Sequence, residues 1–413
     1  MSKSFMEKLL EGATVEWKTL GEVAEYVRGL TYSKTDESPD NIGYKVIRAN
    51  NITLPGNLLN FNDIKFINLD TNVSDSKKLY KNDILISAAS GSRDHVGKVA
   101  FIYSDLDYYF GGFMGVIRCK DEINSRYLFH ILASDIFQKY LDEMLNSSTI
   151  NNLNSAVMSG FQLPIPPLPV QVEIVRILDA FTELTTELTT ELTARKKQYN
   201  YYREQLLRFE QGEVEWKTLG EVTLPTNNIR WSDTDHSYRY IDLTSVSREN
   251  NLITETSKIT ARNAPSRAQK LVEKDDVIFA TTRPTQQRLC LINDEYAGEV
   301  ASTGYCVLRA KVDEILPKWI YYCISSIEFK IYVQENQSGS AYPAISDAKV
   351  KEFKLPIPPL AEQERIVDIL DKFDALTNSI SEGLPREIRL RQKQYEHYRE
   401  LLLSFPKAEA GPT

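Results

Sequence analysis

Val15-Glu16-Trp17-Lys18-Thr19-Leu20-Gly21-Glu22-Val23 returns without change as Val214-Glu215-Trp216-Lys217-Thr218-Leu219-Gly220-Glu221-Val222. A run of this length repeated in register is a duplication, and internal repetition outranks local signals in setting a fold. Each copy opens a half that closes in the same way. Phe161-Gln162-Leu163-Pro164-Ile165-Pro166-Pro167-Leu168 is answered by Phe353-Lys354-Leu355-Pro356-Ile357-Pro358-Pro359-Leu360. Ile177-Leu178-Asp179-Ala180-Phe181 and Ile369-Leu370-Asp371-Lys372-Phe373 follow. Further on, Gln198-Tyr199 with Tyr202-Arg203-Glu204 matches Gln394-Tyr395 with Tyr398-Arg399-Glu400. The order reads domain, helix, domain, helix.

The prolines mark the joints. Each X-Pro step pushes the preceding residue out of helix, so Leu-Pro-Ile-Pro-Pro-Leu is an extended lead into one. Beyond it Val172, Ile174, Val175, Ile177, Leu178, Phe181, Leu184, Leu188 and Leu192 form an apolar stripe at helical spacing, with no Pro or Gly from Val170 to Glu210. Roughly 38 residues at about 1.5 Å each make a strut on the order of 55 Å long. Inside it stands a tandem: Thr182-Glu183-Leu184-Thr185, Thr186-Glu187-Leu188-Thr189, Thr190-Glu191-Leu192-Thr193. A period of four carries its leucines about 40° around the helix per repeat and adds about 6 Å. We read the tandem as setting length; slippage in a low-complexity stretch is the alternative.

The second helix spans about 361–404, is four residues longer between the shared Phe and the shared Gln-Tyr, and is interrupted by Gly383-Leu384-Pro385, where a kink or short break is expected. With Ile369, Leu370 and Phe373 on it and the leucine seam on the first, the two long helices are expected to pack antiparallel. Met6-Glu7-Lys8-Leu9-Leu10 resembles Glu204-Gln205-Leu206-Leu207-Arg208, a stub that would complete the end of the C-terminal helix.

Between these frames the pattern changes to short strands: 44–48, 64–67, 83–87, 99–103 and 115–118 in the first half, 238–241, 276–280 and 306–309 in the second, with helices at about 125–144 and 317–335. The expected fold is α+β: two mixed α/β domains separated by two long antiparallel helices, in a pseudo-two-fold internal repeat. Its parts are an N-terminal helix stub (1–15), a first domain (16–160), a proline joint and first spacer helix (161–212), a second domain (213–352), a second joint and spacer helix (353–405) and a flexible tail (406–413).

Several function classes fall away. No stretch approaches the ~18 apolar residues of a membrane span, and no leader pattern precedes Glu11, so a cytoplasmic protein is expected. Cys119, Cys290, Cys306 and Cys323 lack Cys-x-x-Cys spacing, and His95, His130, His236 and His397 form no pair. Apolar packing explains Cys306 and Cys323 better than a metal or a disulfide. Phosphate-cradling glycine loops and the Gly-x-Ser-x-Gly nucleophile pattern are missing, and Asp275-Asp276 reads as a solvated turn before a strand. The net charge of −8, with 17 basic and 20 acidic residues over 1–160 and 17 and 19 over 214–352, requires any nucleic-acid binding to rest on local clusters.

The halves differ in their loops. Ser87-Ala88-Ala89-Ser90-Gly91-Ser92-Arg93-Asp94-His95-Val96-Gly97-Lys98 stands opposite Ala280-Thr281-Thr282-Arg283-Pro284-Thr285-Gln286-Gln287-Arg288. Basic and amide side chains gather here on Gly- or Pro-marked loops after a buried strand. Arg and Lys suit guanine edges or phosphates, and Gln and Asn can pair with adenine. The candidates are Ser90, Ser92, Arg93, His95 and Lys98 in the first half and Thr282, Arg283, Gln286, Gln287 and Arg288 in the second. Arg48, Asn50, Asn51 and Arg230 are weaker ones. Ser148 and the pair Ser338 and Ser340 stand in turns suited to phosphate.

These paired openings (Trp17-Lys18-Thr19-Leu20-Gly21 and Trp216-Lys217-Thr218-Leu219-Gly220), the paired Pro-Ile-Pro-Pro-Leu segments with Gln171 and Glu362-Gln363 after them, and the Thr-Glu-Leu-Thr tandem resemble the specificity subunit of type I restriction-modification enzymes over nearly the whole chain. The resemblance implies two target-recognition domains, each reading one half of a split double-stranded DNA sequence. It implies helices that act as spacer and dock two modification (methyltransferase) subunits, with restriction (endonuclease/translocase) subunits able to join. It implies no catalysis and no bound cofactor in this chain: S-adenosylmethionine, ATP and Mg2+ would serve the partners. A helical adaptor that binds proteins rather than DNA is the rival reading, which the acidic net charge favours.

Overall fold

The computed structural model describes residues 3–10, 12–53, 56–90, 93–146, 152–210, 212–379 and 381–406. The two most strongly repeated segments prove to be partners. Glu16–Thr19 pairs antiparallel with Gln162–Ile165, Trp17 opposite Pro164, and Glu215–Thr218 pairs with Lys354–Ile357, Trp216 opposite Pro356. A proline donates no backbone hydrogen bond, which fits a ladder of only two strands. Each ladder therefore ties the entrance of a domain to its exit.

Within the first domain, Ala24–Arg28, Met114–Cys119, Ile84–Ser87 and Val99–Phe101 form one four-stranded sheet; Lys65–Ile67, Tyr44–Ile47, Leu106–Phe110 and Lys78–Leu79 form another. The second domain repeats this with Thr223–Leu224, Tyr305–Ala310, Val277–Ala280 and Leu289–Leu291 in one sheet, and Ser257–Ile259, Tyr238–Ile241, Val300–Ser302 and Ala268–Leu271 in the other. In each domain the second sheet contains one parallel pair, 44–47 with 106–110 and 238–241 with 300–302. The strands at 106–110, 24–28, 268–271 and 300–302 were not anticipated. Leu106-Asp107-Tyr108-Tyr109-Phe110 shows why: its apolar residues neither alternate cleanly nor run continuously.

Each single helix expected at 125–144 and 317–335 is two. Ser125–Leu132 and Asp135–Asn146 replace the first, Pro317–Ile324 and Ile327–Asn336 the second. A serine ends the first helix of each pair: Ser134 Oγ donates to Ile131 O at 2.6 Å and Ser326 Oγ to Cys323 O at 2.7 Å. Such local hydroxyl bonds compete with the helical ladder, and Ser326 Oγ also accepts from Phe329 N, opening the next helix.

The first long helix runs unbroken over Leu168–Leu206, 39 residues. The second is broken into Leu360–Thr377 and Gly383–Leu403. The break thus falls at 378–382, upstream of the expected Gly-Leu-Pro, because Pro385 is tolerated in a first helical turn where no amide donor is needed. By internal contacts the chain forms two units, Met1–Glu187 with Arg389–Thr413, and Leu188–Ile388. The cut falls inside the Thr-Glu-Leu-Thr tandem, and Leu184, Leu188 and Leu192 are only half-buried.

Each unit holds its own stretch of both long helices. In the first, Phe181 stacks on Tyr398 with ring centroids 5.1 Å apart; in the second, Tyr199 and Tyr202 stack on Phe373 at 6.1 and 5.6 Å. As numbering rises along one helix it falls along the other, the order of an antiparallel pair. Leu370 is fully buried and Ile369 half-buried. The places that Leu206, Leu207 and Phe209 take in the second core are taken in the first by Leu402, Leu403 and Phe405, and Met6, Leu9 and Leu10 of the short helix Lys3–Leu10 pack against that same core.

The repeated polar residues are the bolts of this frame. Gln171, fully buried, accepts from Asn124 N at 2.8 Å and donates to Pro166 O at 2.8 Å; Gln363 accepts from Leu316 N at 2.9 Å and donates to Pro358 O at 2.8 Å and Glu314 O at 3.1 Å. Asp179 takes bonds from Arg126 (2.8 Å) and His130 (2.9 Å), and Asp371 from Tyr322 and Lys318. Burial holds the His130 imidazole below its ordinary pKa. The neutral ring then donates from Nε2 to Asp179 and accepts from Tyr395 at Nδ1, 3.1 Å away. Replacing Gln363 by Leu takes a partner from Leu316 N–H, Glu314 O and Pro358 O, of which only Pro358 is a buried residue. At roughly 1–3 kcal/mol for a buried orphan and less for the two part-buried groups, stability should fall by about 2–4 kcal/mol. Urea unfolding measures this; a loss below about 1 kcal/mol would mean that the glutamine does not hold the joint.

Candidate nucleic-acid interface

The strand that ends at Ser87 and the strand that ends at Ala280 deliver the two divergent loops to the same place in each domain. Ala88 N and Ala89 N donate to Phe113 O (2.8 and 3.1 Å), and Thr281 N donates to Gly304 O (2.8 Å). Leu153 N donates to Ala88 O at 2.7 Å, and Ile345 N to Thr281 O at 2.9 Å. Bridges Ala89 to Asn152 and Thr282 to Ala344 extend these contacts. The loop after the buried strand and the turn before the proline joint, far apart in sequence, are therefore side by side in both halves. Arg28 reinforces the junction in the first, donating to Leu153 O (2.8 Å), Asn152 Oδ1 (3.0 Å) and Gly112 O (3.2 Å).

In the second domain the turn Pro284–Gln286 carries Arg283 and Gln287 at its ends, both with left-handed backbones (φ 50° and 52°). Thr282, Gln286 and Gln287 are half-exposed and Arg283 exposed. Gln287 Nε2 and Gln337 Oε1 have no hydrogen-bond partner among the described residues. Ser338 and Ser340 are exposed on the facing turn, which is closed by a pair of bonds between Ser338 and Ala344 (2.8 and 2.9 Å). Arg288 departs from the expected set: its guanidinium donates to Leu243 O and Val246 O, both at 2.8 Å, and so fastens one backbone loop to another.

In the first domain His95 is exposed, Ser90 and Lys98 are half-exposed, and Arg93 is paired with Asp142. Ser92 and Ser148 lie outside the described residues. Asn51 is fully buried and spent, accepting from Arg48 N at 2.9 Å and donating to Asn60 O and Asp63 O, so it closes a 3₁₀ turn and is withdrawn as a contact. Arg48 and Asn50 both bind the Asp63 carboxylate (2.6 and 2.7 Å). Arg230 is exposed beside Trp231, whose indole N–H is committed to Ala268 O at 2.9 Å. Sequence reasoning missed Phe113 and Tyr342, which are 74% and 72% exposed beside the two loop pairs. The signals available were a Gly-Gly-Phe turn between strands and a tyrosine in a Ser-Ala-Tyr-Pro turn.

Asp276 corrects the solvated-turn reading: it is fully buried and takes two bonds from Arg309, at Nε and Nη2, both 2.8 Å. No group of His, Cys, Asp or Glu among the described residues is arranged to hold a metal ion. Burial pushes the Cys290 and Cys306 thiols up to about 12, which suits packing and not reactivity. Among the described residues no helix is long and apolar enough to cross a membrane. Despite the acidic total, Arg230, Arg248, Lys258, Arg262, Arg267 and Arg283 are exposed and carry no ion pair among the described residues. The second domain thus keeps free cations of the kind phosphate contacts require.

The family model of the type I restriction modification DNA specificity domain matches the chain twice, over residues 13–196 and 212–390. The specificity subunit of the Escherichia coli type I restriction enzyme EcoR124I/EcoR124II is 33% identical over 98% of each chain. That of the E. coli EcoprrI enzyme is 31% identical over 92% of each. Among solved structures, the type I S subunit of M. genitalium shares 15% identity, covering 96% of this chain and 98% of its own, with a TM-score of 0.53. A chain from a type I R-M assembly shares 17% identity over 95% and 98% with a TM-score of 0.60; both agree in fold. With the family model matching both halves and the loop pairs mounted alike in each, the chain belongs to the specificity subunits of type I restriction-modification systems, and sequence-specific DNA recognition is its role.

Proposed function

We propose that each loop pair is one reading head, the first taking one half of a bipartite duplex target and the second the other. The observation that carries this is the mounting of two chemically different loop pairs on one repeated frame. Ser90, Ser92, Arg93, His95, Lys98 and Ser148 with Phe113 form the first head; Thr282, Arg283, Gln286, Gln287, Ser338 and Ser340 with Tyr342 form the second. Polar groups supply phosphate register and base-edge bonds, and the exposed Phe113 suits the methyl group of a thymine. Arg230, Arg48 and Asn50 are outer contacts in this reading, the last two after release from Asp63.

The long helices set the gap between the half-sites through Leu184, Leu188 and Leu192, and dock two modification subunits, with restriction subunits able to join in the cytoplasm. Those partners supply S-adenosylmethionine-dependent methylation and ATP- and Mg2+-dependent cleavage. Exchanging residues 213–352 for the matching domain of a relative, and sequencing methylated sites in a host that also expresses the modification subunit, should change one half of the methylated motif and leave the other intact. A motif unchanged, or changed in both halves, would refute the assignment of one head per half-site.

A further inference from the structure

Among the unpaired cations of its domain Arg283 is set apart by a ring contact and a left-handed backbone. Elsewhere in the domain Arg239 is paired with Glu295 (2.7 Å), Lys270 with Asp347 (2.9 Å) and Arg309 with Asp276 (2.8 Å), and Arg288 Nη1 donates to two carbonyls. Arg283 has no carboxylate partner among the described residues. Its guanidinium lies over the exposed ring of Tyr342, 5.2 Å from the centroid. Its backbone is left-handed (φ 50°), a conformation that strains a non-glycine residue and persists only where the surroundings over-determine it. They do so here: Arg283 N donates to Pro343 O at 2.7 Å, Gln286 N donates to Arg283 O at 3.0 Å, and the Thr282 to Ala344 bridge lies next door.

Strain and stacking together fix the direction of a planar, five-donor fork. A phosphate can accept such a fork, but a mobile Lys also serves as a point-charge contact to it. The rim of a guanine is matched by the fixed fork, because O6 and N7 accept two parallel bonds in one plane. We propose that Arg283 is a guanine-reading side chain in the second half-site and that Tyr342 is its positioning residue. The proposal rests on the reading that the second domain takes one half-site.

The test uses the full complex of this chain with its modification subunits. Duplexes of the target carry 7-deazaguanine, which lacks the N7 acceptor, at one second-half guanine at a time. One position should weaken binding of the unaltered complex about tenfold. Arg283→Ala should bind the normal target about tenfold more weakly and be indifferent to the replacement there. Arg283→Lys, which can reach the guanine edge but lacks the planar fork, should bind between the unaltered complex and Arg283→Ala and keep only part of the response to the replacement. Tyr342→Phe should retain full discrimination and Tyr342→Ala lose a part of it, with melting temperatures unchanged because both side chains are exposed. A 7-deazaguanine effect that persists in Arg283→Ala would overturn the proposal. So would a second half-site without guanine, or an Arg283→Ala loss equal on target and random duplex with a salt slope smaller by about one, the mark of a phosphate clamp. Failure of the underlying reading looks different: the unaltered complex would then bind equally well whatever the second half-site contains.

Discussion

Removal of Thr186 to Thr189 is expected to abolish methylation at the original target and create methylation at a site whose two halves are the same but one or two base pairs closer. The deletion takes about 6 Å from a continuous helix, against about 3.4 Å per base pair. It also turns one side of the cut by about 40° relative to the other, since four residues exceed a 3.6-residue turn. A duplex turns with its own rise, so a shorter gap rotates the half-sites as well. The tandem can be shortened without wrecking a core because its leucines are only half-buried and its threonines are bonded along the helix, Thr185 to Phe181 O at 2.8 Å and Thr193 to Thr189 O at 2.9 Å. The returning helix is interrupted at 378–382 and restarts at Gly383, with φ 69°. That turn is where a change in length can be absorbed. Sequencing of methylated sites decides the matter, and an unchanged gap in the deletion would sink the ruler.

The frame was legible in the sequence because it is written twice. Trp17 and Trp216 open the two halves in identical local sequence, and Asp179 and Asp371 stand at the same distance beyond their proline joints; equal spacing under divergence implies equal geometry. The partnering of loops was not legible. Thr282 meets Ala344, and Ala89 meets Asn152, only because the sheet register carries one strand end past another, and no local pattern encodes that. Arg288 and Asn51 were drawn into the candidate set by side-chain chemistry alone. Each is polar, but each fastens its own chain: Arg288 Nη1 donates to two carbonyls, and the Asn51 amide accepts from Arg48 N and donates to two carbonyls, which only three-dimensional neighbours reveal. The reverse error hid Asp276: two adjacent aspartates look like a solvated turn. Asp83 with Arg118 and Asp276 with Arg309 recur at equivalent places, an acid before a buried strand and a base on the strand that pairs with it in the sheet.

That recurring pair carries the largest stability effect expected from a single side chain. Asp276→Ala should destabilise the second domain by about 3–5 kcal/mol, the cost of leaving one member of a buried ion pair without its partner. Two groups lose their acceptor together: the Arg309 guanidinium, and the Glu273 amide, which donates to Asp276 Oδ2 at 2.7 Å. Glu273 still holds Arg309 Nη1 at 2.6 Å from the solvent side, so the arginine turns outward and exposes the strand Val277–Ala280, whose four residues are all buried. The damage should therefore appear as faster hydrogen exchange along 277–280 and 305–310, with the sheet of the first domain unaffected. Adding Arg309→Met to Asp276→Ala should recover much of the loss, because an apolar side chain of similar length needs no counter-charge in that place. If the double variant is no more stable than the single one, the aspartate matters for the Glu273 turn and not for the pair, and the matching Asp83 and Arg118 would have to be read the same way.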